Sequence, residues 1–140
     1  MKKLFFLGSL FLMTTVVVSA QQQDPQAYGK AQEMTSLLAQ AYNLDENQTD
    51  KMFKIQIRKY NDINLVASLR DQDQQLYVRK MNAIFDGANA SIERMLTKAQ
   101  QPTFRQQAID LRKRKAEMAR QLQAQGIAPK QIELALVEME

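Results

Sequence analysis

Apolar residues recur every three or four positions along most of this chain, which is the spacing of amphipathic helices. No stretch alternates polar and apolar positions as a half-buried strand does. The pattern predicts an all-α fold with four helices and a short C-terminal helix. The first helix should run from Pro25, with Asp24 as its N-cap, to about Tyr42. The predicted apolar positions are Ala27, Ala31, Met34, Leu37, Leu38 and Ala41 in the first helix; Phe53, Ile57, Tyr60, Ile63 and Ala67 in the second, widened by Met52, Ile55 and Val66; Tyr77, Val78, Met81, Ile84, Phe85, Ala88, Ile92 and Met95 in the third; Phe104, Ala108, Leu111, Met118 and Leu122 in the fourth; and Ile132, Ala135, Leu136 and Met139 in the last.

A short motif precedes the fourth helix: a leucine, a residue that can act as N-cap, and a glutamine three positions after that residue. It is present in Leu96-Thr97-Lys98-Ala99-Gln100. We expect a capping box here, in which the Thr97 hydroxyl accepts from the Gln100 N–H and the Gln100 side chain accepts from the Thr97 N–H. Such a cap stabilises a helix by about 1 kcal/mol. Pro102 complicates this start, because a proline lacks the N–H that a helix interior needs. Either the first turn is distorted, or the regular helix restarts with Pro102 at its first position.

The same pattern occurs at Leu44-Asp45-Glu46-Asn47-Gln48, where Asp45 replaces the threonine as N-cap. The second helix should start at Asp45 or Glu46. Two such breaks in one small helical chain indicate two related helical halves. Both are helix breaks, so we expect the motif residues to be structural and not a binding site. These residues are Leu44, Asp45, Gln48, Leu96, Thr97 and Gln100.

Residues 69–75 interrupt the apolar stripe with a polar, glutamine-rich segment that contains neither Gly nor Pro. One interpretation is a short turn, with Asp71 or Asp73 as the N-cap of the third helix. The alternative is one continuous helix from Glu46 to Phe85 with a polar middle.

The N-terminal residues have the three parts of a secretory signal peptide. A positive segment, Met1-Lys2-Lys3, precedes an apolar run from Leu4 to Val18, and small residues follow up to Ala20. We expect cleavage after Ala20, so that residues 1–20 are the signal peptide and residues 21–140 form a single exported domain without a membrane-spanning segment. The alternative, a retained membrane anchor, is disfavoured because the apolar run is short for a span of about 20 residues.

Composition excludes several kinds of chemistry. The chain has neither Cys nor His, so it lacks disulfides, Ser-His and Cys-His nucleophile systems, and the commonest transition-metal ligand. It also has no glycine-rich phosphate loop. We therefore expect neither an enzyme nor a bound metal or cofactor. The net charge of +4 is small, and two of the lysines lie in the signal peptide, which argues against nucleic acid as a partner.

The strongest charge feature is a basic cluster in the fourth helix, centred on Arg112-Lys113-Arg114-Lys115. In one interpretation these residues form a solvated face, with Asp110 and Glu117 as local partners. In the other they form an electropositive rim that attracts acidic or unfolded chains. A smaller basic group, Lys51, Lys54, Arg58 and Lys59, lies in the second helix. The candidate client-binding residues are Arg105, Arg112, Lys113, Arg114, Lys115 and Arg120.

Taken with the helical pattern and the signal peptide, the two motif copies resemble the Spy/CpxP (LTxxQ-motif) family of periplasmic helical proteins. Leu96–Gln100 matches the motif at each specified position, and Leu44–Gln48 matches it with Asp for Thr. The resemblance covers about residues 30 to 125. It implies an elongated hairpin protomer, an antiparallel cradle-shaped homodimer, a periplasmic location, and ATP-independent chaperoning of unfolded or aggregation-prone envelope proteins under envelope stress. Apolar surface in excess of what one thin helical chain can bury agrees with a dimer or an exposed binding face.

Three other functions stay open at this stage. The first is an envelope-stress regulator that docks on a sensor kinase, since the resemblance covers both roles. The second is metal sensing, against which the lack of His, Cys and acidic clusters argues. The third is a helical adaptor without clients, in which the basic cluster only confers solubility.

Overall fold

The computed structural model describes residues 24–139, and this part of the chain is helical, without strands. The predicted all-α fold class is therefore confirmed. The predicted signal peptide, residues 1–20, and its cleavage site lie outside the described residues. None of the described helices is long and apolar enough to cross a membrane. The helices are α1 (Pro25–Tyr42), α2 (Glu46–Val66), α3 (Leu69–Gln72), α4 (Gln74–Met95), α5 (Gln101–Ala124) and α6 (Pro129–Val137).

The first helix begins and ends where the local sequence predicts, and the second begins there but ends at Val66, before the predicted stripe residue Ala67. The Asp24 carboxylate accepts from the Gln26 N–H at 2.8 Å, and Pro25 is the first residue of α1. Asn43 closes α1 in the left-handed region, with φ of 49°. Asp45 then caps α2, accepting from the Gln48 N–H at 2.7 Å while the Gln48 side chain accepts from the Asp45 N–H at 3.2 Å. The predicted capping box at the first motif copy is confirmed.

The break at residues 69–75 is real, and the alternative of one continuous helix is wrong. Helix α2 ends at Val66, and α3 adds a single turn before the chain changes direction at Asp73. Asp73 has φ of −150°, outside the helical region, and its carboxylate accepts from the Leu76 N–H at 3.0 Å. Asp73, and not Asp71, is therefore the N-cap of α4.

The second motif copy differs from the predicted capping box in one of its two bonds. The Gln100 side chain does accept from the Thr97 N–H, at 2.9 Å. The Gln100 N–H, however, donates to the Thr97 carbonyl at 3.0 Å, and the Thr97 hydroxyl donates to the Gln100 side chain. The physical reason is a tight turn at residues 98–100, after which α5 begins at Gln101 with Pro102 in its first turn, where no N–H is needed.

Helix α4 connects two hydrophobic clusters. The first contains Tyr42, Met52, Ile92 and Leu96, next to the motif segments, and the second contains Tyr77, Met81, Phe85 and Val137. The predicted stripe of α4 is confirmed, because its five buried residues all belong to it. In α2 the buried line runs instead through Gln48, Met52 and Gln56, while Ala67 is exposed. This difference arises because α2 packs against both α1 and α4, so the line of residues between these two helices is buried even where it carries a glutamine.

Gly87 lies in the interior of α4 with open space around it, since a Cβ there would meet nothing within 4 Å. The Gly87→Ala substitution should therefore raise the free energy of unfolding by about 0.5–1 kcal/mol, because alanine loses less backbone entropy on folding. Urea unfolding followed by circular dichroism measures the change.

Gly126 is the matched control, because it has equally open surroundings but a left-handed backbone with φ of 75°. Gly126→Ala should destabilise the protein by about 1–2 kcal/mol, since a Cβ is strained in that region. If both substitutions changed stability in the same direction, backbone conformation would not be the cause of either effect.

Candidate functional site

The two motif copies contact each other directly through their glutamines. The Gln48 amide nitrogen donates to the Gln100 amide oxygen at 2.9 Å, and the Gln100 nitrogen donates to the Gln48 oxygen at 3.1 Å. Gln48 is buried and Gln100 is half-buried, so these hydrogen bonds form largely away from water. The two breaks that appear separately in the sequence are therefore one junction in the structure.

Each glutamine also binds the backbone that precedes the other motif copy. Gln48 donates to the Met95 carbonyl at 3.1 Å, and Gln100 donates to the Tyr42 carbonyl at 3.0 Å and the Asn43 carbonyl at 3.2 Å. These carbonyls belong to helix ends, where carbonyl groups lack intrahelical partners. The junction thus ties the end of α1 to the start of α5, and the start of α2 to the end of α4. Leu96 is buried beneath it and Leu44 packs against the same cluster.

Beside this junction lies a cleft of about 620 Å³ between α1, α2, α4 and α5. Apolar residues of α1, α4 and α5 line it, namely Met34, Leu38, Ile92, Phe104 and Leu111, while α2 contributes Gln56 and Lys59. Four cationic side chains and two carboxylates also line it, so its charge is positive. We call this site the basic cleft; its charged residues are Lys59, Arg112, Arg114, Lys115, Asp86 and Asp110.

Tyr42 fixes one end of the basic cleft. Its hydroxyl donates to the Gln107 side chain of α5, and its ring packs edge-on against Phe104 with 6.3 Å between centroids. Burial raises the pKa of Tyr42 above its ordinary value, because the charged phenolate is disfavoured away from water. These contacts hold α5 beside α1 and keep the walls of the cleft in place.

The structure brings together three of the six predicted client-binding residues. Arg112, Arg114 and Lys115 line the basic cleft. The other three do not line it, because a helix distributes consecutive residues around its circumference. Lys113 is paired with Asp110 at 3.9 Å, as the solvated-face interpretation predicts for that residue, and Arg105 is paired with Glu93 at 3.3 Å. Arg120 is exposed on the last turns of α5.

Lys59 and Gln56 line the basic cleft although the sequence did not predict them as parts of this site. Lys59 is the one member of the smaller basic group that lines the cleft, because the packing of α2 against α1 and α4 places it there and leaves Lys51, Lys54 and Arg58 outside. Gln56 also lines the cleft. It is 1% exposed, and its side-chain oxygen has no hydrogen-bond partner in the described part of the chain. A glutamine in an amphipathic helix normally indicates a solvated position, so the sequence carries no signal for it.

Among residues 24–139, no group of three or more acidic side chains is placed to hold a metal ion. No protein-family model, no curated protein and no solved structure matches this chain. The resemblance to the Spy/CpxP family therefore rests on the sequence features described above.

Proposed function

We propose that this protein is an ATP-independent periplasmic chaperone that binds unfolded or aggregation-prone envelope proteins in the basic cleft. The observation that carries the proposal is the composition of the cleft, in which an apolar lining lies next to an excess of cations. Unfolded chains expose apolar side chains, and acidic segments among them would be attracted by the cations. Electrostatic attraction accelerates encounter, while contacts with Met and aromatic side chains adapt to varied sequences.

We further propose that the protein acts as a homodimer. Helix α5 has no buried residue along its 24 residues, and Ile109 and Met118 on it are 43% and 36% exposed. Leu37 on α1 is 54% exposed. Apolar surface of this kind favours association with a second chain. Sedimentation equilibrium of residues 21–140 should give twice the mass of one chain, and a monomer at micromolar concentration would contradict this proposal.

The cationic side chains of the basic cleft give a direct test of client capture. Replacing Arg112, Arg114 and Lys115 together by Ser should weaken suppression of aggregation about tenfold at low salt, because three charges that attract the client are lost. The measurement is light scattering from a chemically denatured acidic model protein, without ATP, at increasing amounts of residues 21–140.

The same helix offers a matched control. Replacing Arg105, Lys113 and Arg120 together by Ser removes the same charge from outside the cleft, and it should leave suppression nearly unchanged. The difference between the two variants should disappear at about 0.5 M salt, where surface charges are screened. Equal loss in both variants would show that total charge, and not the basic cleft, attracts the client. No suppression by the unaltered protein at several-fold excess would overturn the chaperone proposal itself.

A further inference from the structure

Helix α6 packs against a defined surface at the far end of α4. Val137 is 2% exposed and inserts into the cluster of Tyr77, Met81 and Phe85. Leu134 packs against the same cluster, one helical turn earlier. Leu134 and Val137 therefore form the apolar contact face of α6, although the sequence pattern favoured Ile132, Ala135, Leu136 and Met139.

An ion pair fixes the end of α6 to α3. The Arg70 Nε donates to Glu138 Oε1 at 2.7 Å, and Nη2 approaches Oε2 at 3.4 Å, so the guanidinium and carboxylate meet side by side. Hydrogen bonding to Glu138 raises the pKa of Arg70, and the Glu138 charge adds to burial in raising the pKa of Tyr77. Glu138 thus lies close to both Arg70 and the aromatic cluster. Leu134, Val137 and Glu138 have the i, i+3, i+4 spacing of one helix face.

Little within helix α6 itself stabilises it, so it depends on packing against α4 and α5 and on the ion pair with Arg70. It has nine residues, no side chain caps its N-terminus, and the chain reaches it through the left-handed Gly126 and two further residues. Isolated helices of this length are marginal in water. Its helical form therefore depends on the surface it covers, as in a peptide that folds on binding a groove.

We propose that this surface is a recognition site for an amphipathic helical segment of a partner protein, and that α6 occupies it as a tethered, displaceable ligand. The site, which we call the α6 surface, consists of Arg70, Tyr77, Met81 and Phe85. The partner segment presents two aliphatic residues three positions apart, followed immediately by an acidic residue, as Leu134, Val137 and Glu138 do. The apolar pair fills the cluster, and the carboxylate selects the register by pairing with Arg70. The α6 surface adjoins the basic cleft, since the Lys59 ammonium lies 5.4 Å from the Phe85 ring centroid and Met139 lines the cleft. The proposal nevertheless does not depend on client capture in the cleft.

The proposal is tested with the full chain and a fluorescently labelled peptide of residues 127–139. The Val137→Asp substitution in the protein should undock α6 and leave the α6 surface open. By fluorescence anisotropy, the peptide should bind this variant at least about tenfold more tightly than the unaltered protein, where the tethered α6 competes at high effective concentration. Equal binding to both proteins would overturn the proposal, as would equal binding of a peptide that itself carries Val137→Asp.

Charge exchange tests the register. In the V137D protein, Arg70→Glu should weaken binding of the peptide, and a peptide with Glu138→Arg should bind better to this double variant than to V137D alone. Circular dichroism checks that each variant keeps its helices. If V137D does not fold, Glu138→Arg in the protein weakens the same contact from the surface, and the peptide should then bind this variant more tightly than the unaltered protein.

A designed peptide tests whether the spacing of two aliphatic residues and one acidic residue is enough for binding, without the rest of the α6 sequence. An alanine-based helical peptide with Leu, Val and Glu at the same spacing should compete with the labelled peptide, and one with the acidic residue moved two positions should not. Competition by both peptides would show non-specific apolar binding and overturn the proposed specificity. Client aggregation measured in parallel with the unaltered protein, in which α6 stays docked, distinguishes this proposal from the chaperone proposal. Suppression there does not require α6 to leave its surface.

Discussion

Replacing Gln48 by Met should lower the free energy of unfolding by about 2–4 kcal/mol, although methionine is similar in size and more apolar. The buried Gln48 amide bonds to the Gln100 amide, the Met95 carbonyl and the Asp45 N–H. Methionine would leave these groups without partners in a place that water reaches poorly, and each unsatisfied buried group costs about 1–3 kcal/mol. Urea unfolding followed by circular dichroism measures the loss.

A double-mutant cycle with Gln100→Met shows whether the two glutamines act as a unit. Because they bond to each other twice, the double variant should be about 1–3 kcal/mol more stable than the sum of the single losses predicts. Gln121→Met, at an exposed position of α5, is the control and should change stability by less than about 0.5 kcal/mol. Additive losses in the cycle would contradict a shared junction and leave two independent helix caps.

The second large effect is expected at Met52, which is 0% exposed. Met52→Ala should lower the free energy of unfolding by about 2–5 kcal/mol, since it removes buried apolar surface and leaves a cavity. The cavity would open within the cluster that contains Tyr42, Ile92 and Leu96, directly beneath the glutamine junction. The same unfolding experiment measures this loss.

Met118→Ala makes the same chemical change on α5, where Met118 is 36% exposed. It should cost less than about 0.5 kcal/mol in the single chain. The comparison also bears on the proposed homodimer. If Met118→Ala destabilised the protein as strongly as Met52→Ala, and did so in a concentration-dependent way, Met118 would be buried between two chains.

The amino-acid sequence by itself determined the all-α fold and several of the helix ends. Asp24, Asp45 and Asp73 begin helices because their carboxylates accept from nearby backbone N–H groups, and Gly126 ends one because it tolerates a left-handed backbone. The buried stripe of α4 was readable for a similar reason, since this helix covers the core with one continuous face. These properties depend on residues within one or two helical turns of each other, and such local rules can be read from sequence.

Only the tertiary structure decided which distant residues meet. The pairing of Gln48 with Gln100, the place of Lys59 in the basic cleft, and the insertion of Val137 each depend on how one helix is rotated and positioned against another. Hydrophobic periodicity fixes a stripe to within about 100° of helix surface, which is too coarse to choose between neighbouring positions such as Leu136 and Val137. Polar residues such as Gln56 are harder still, because burial between packed helices overrides what their own sequence position indicates. The helices of this protein are thus a local property of its sequence, while its junction, its basic cleft and its α6 surface follow from the packing of those helices.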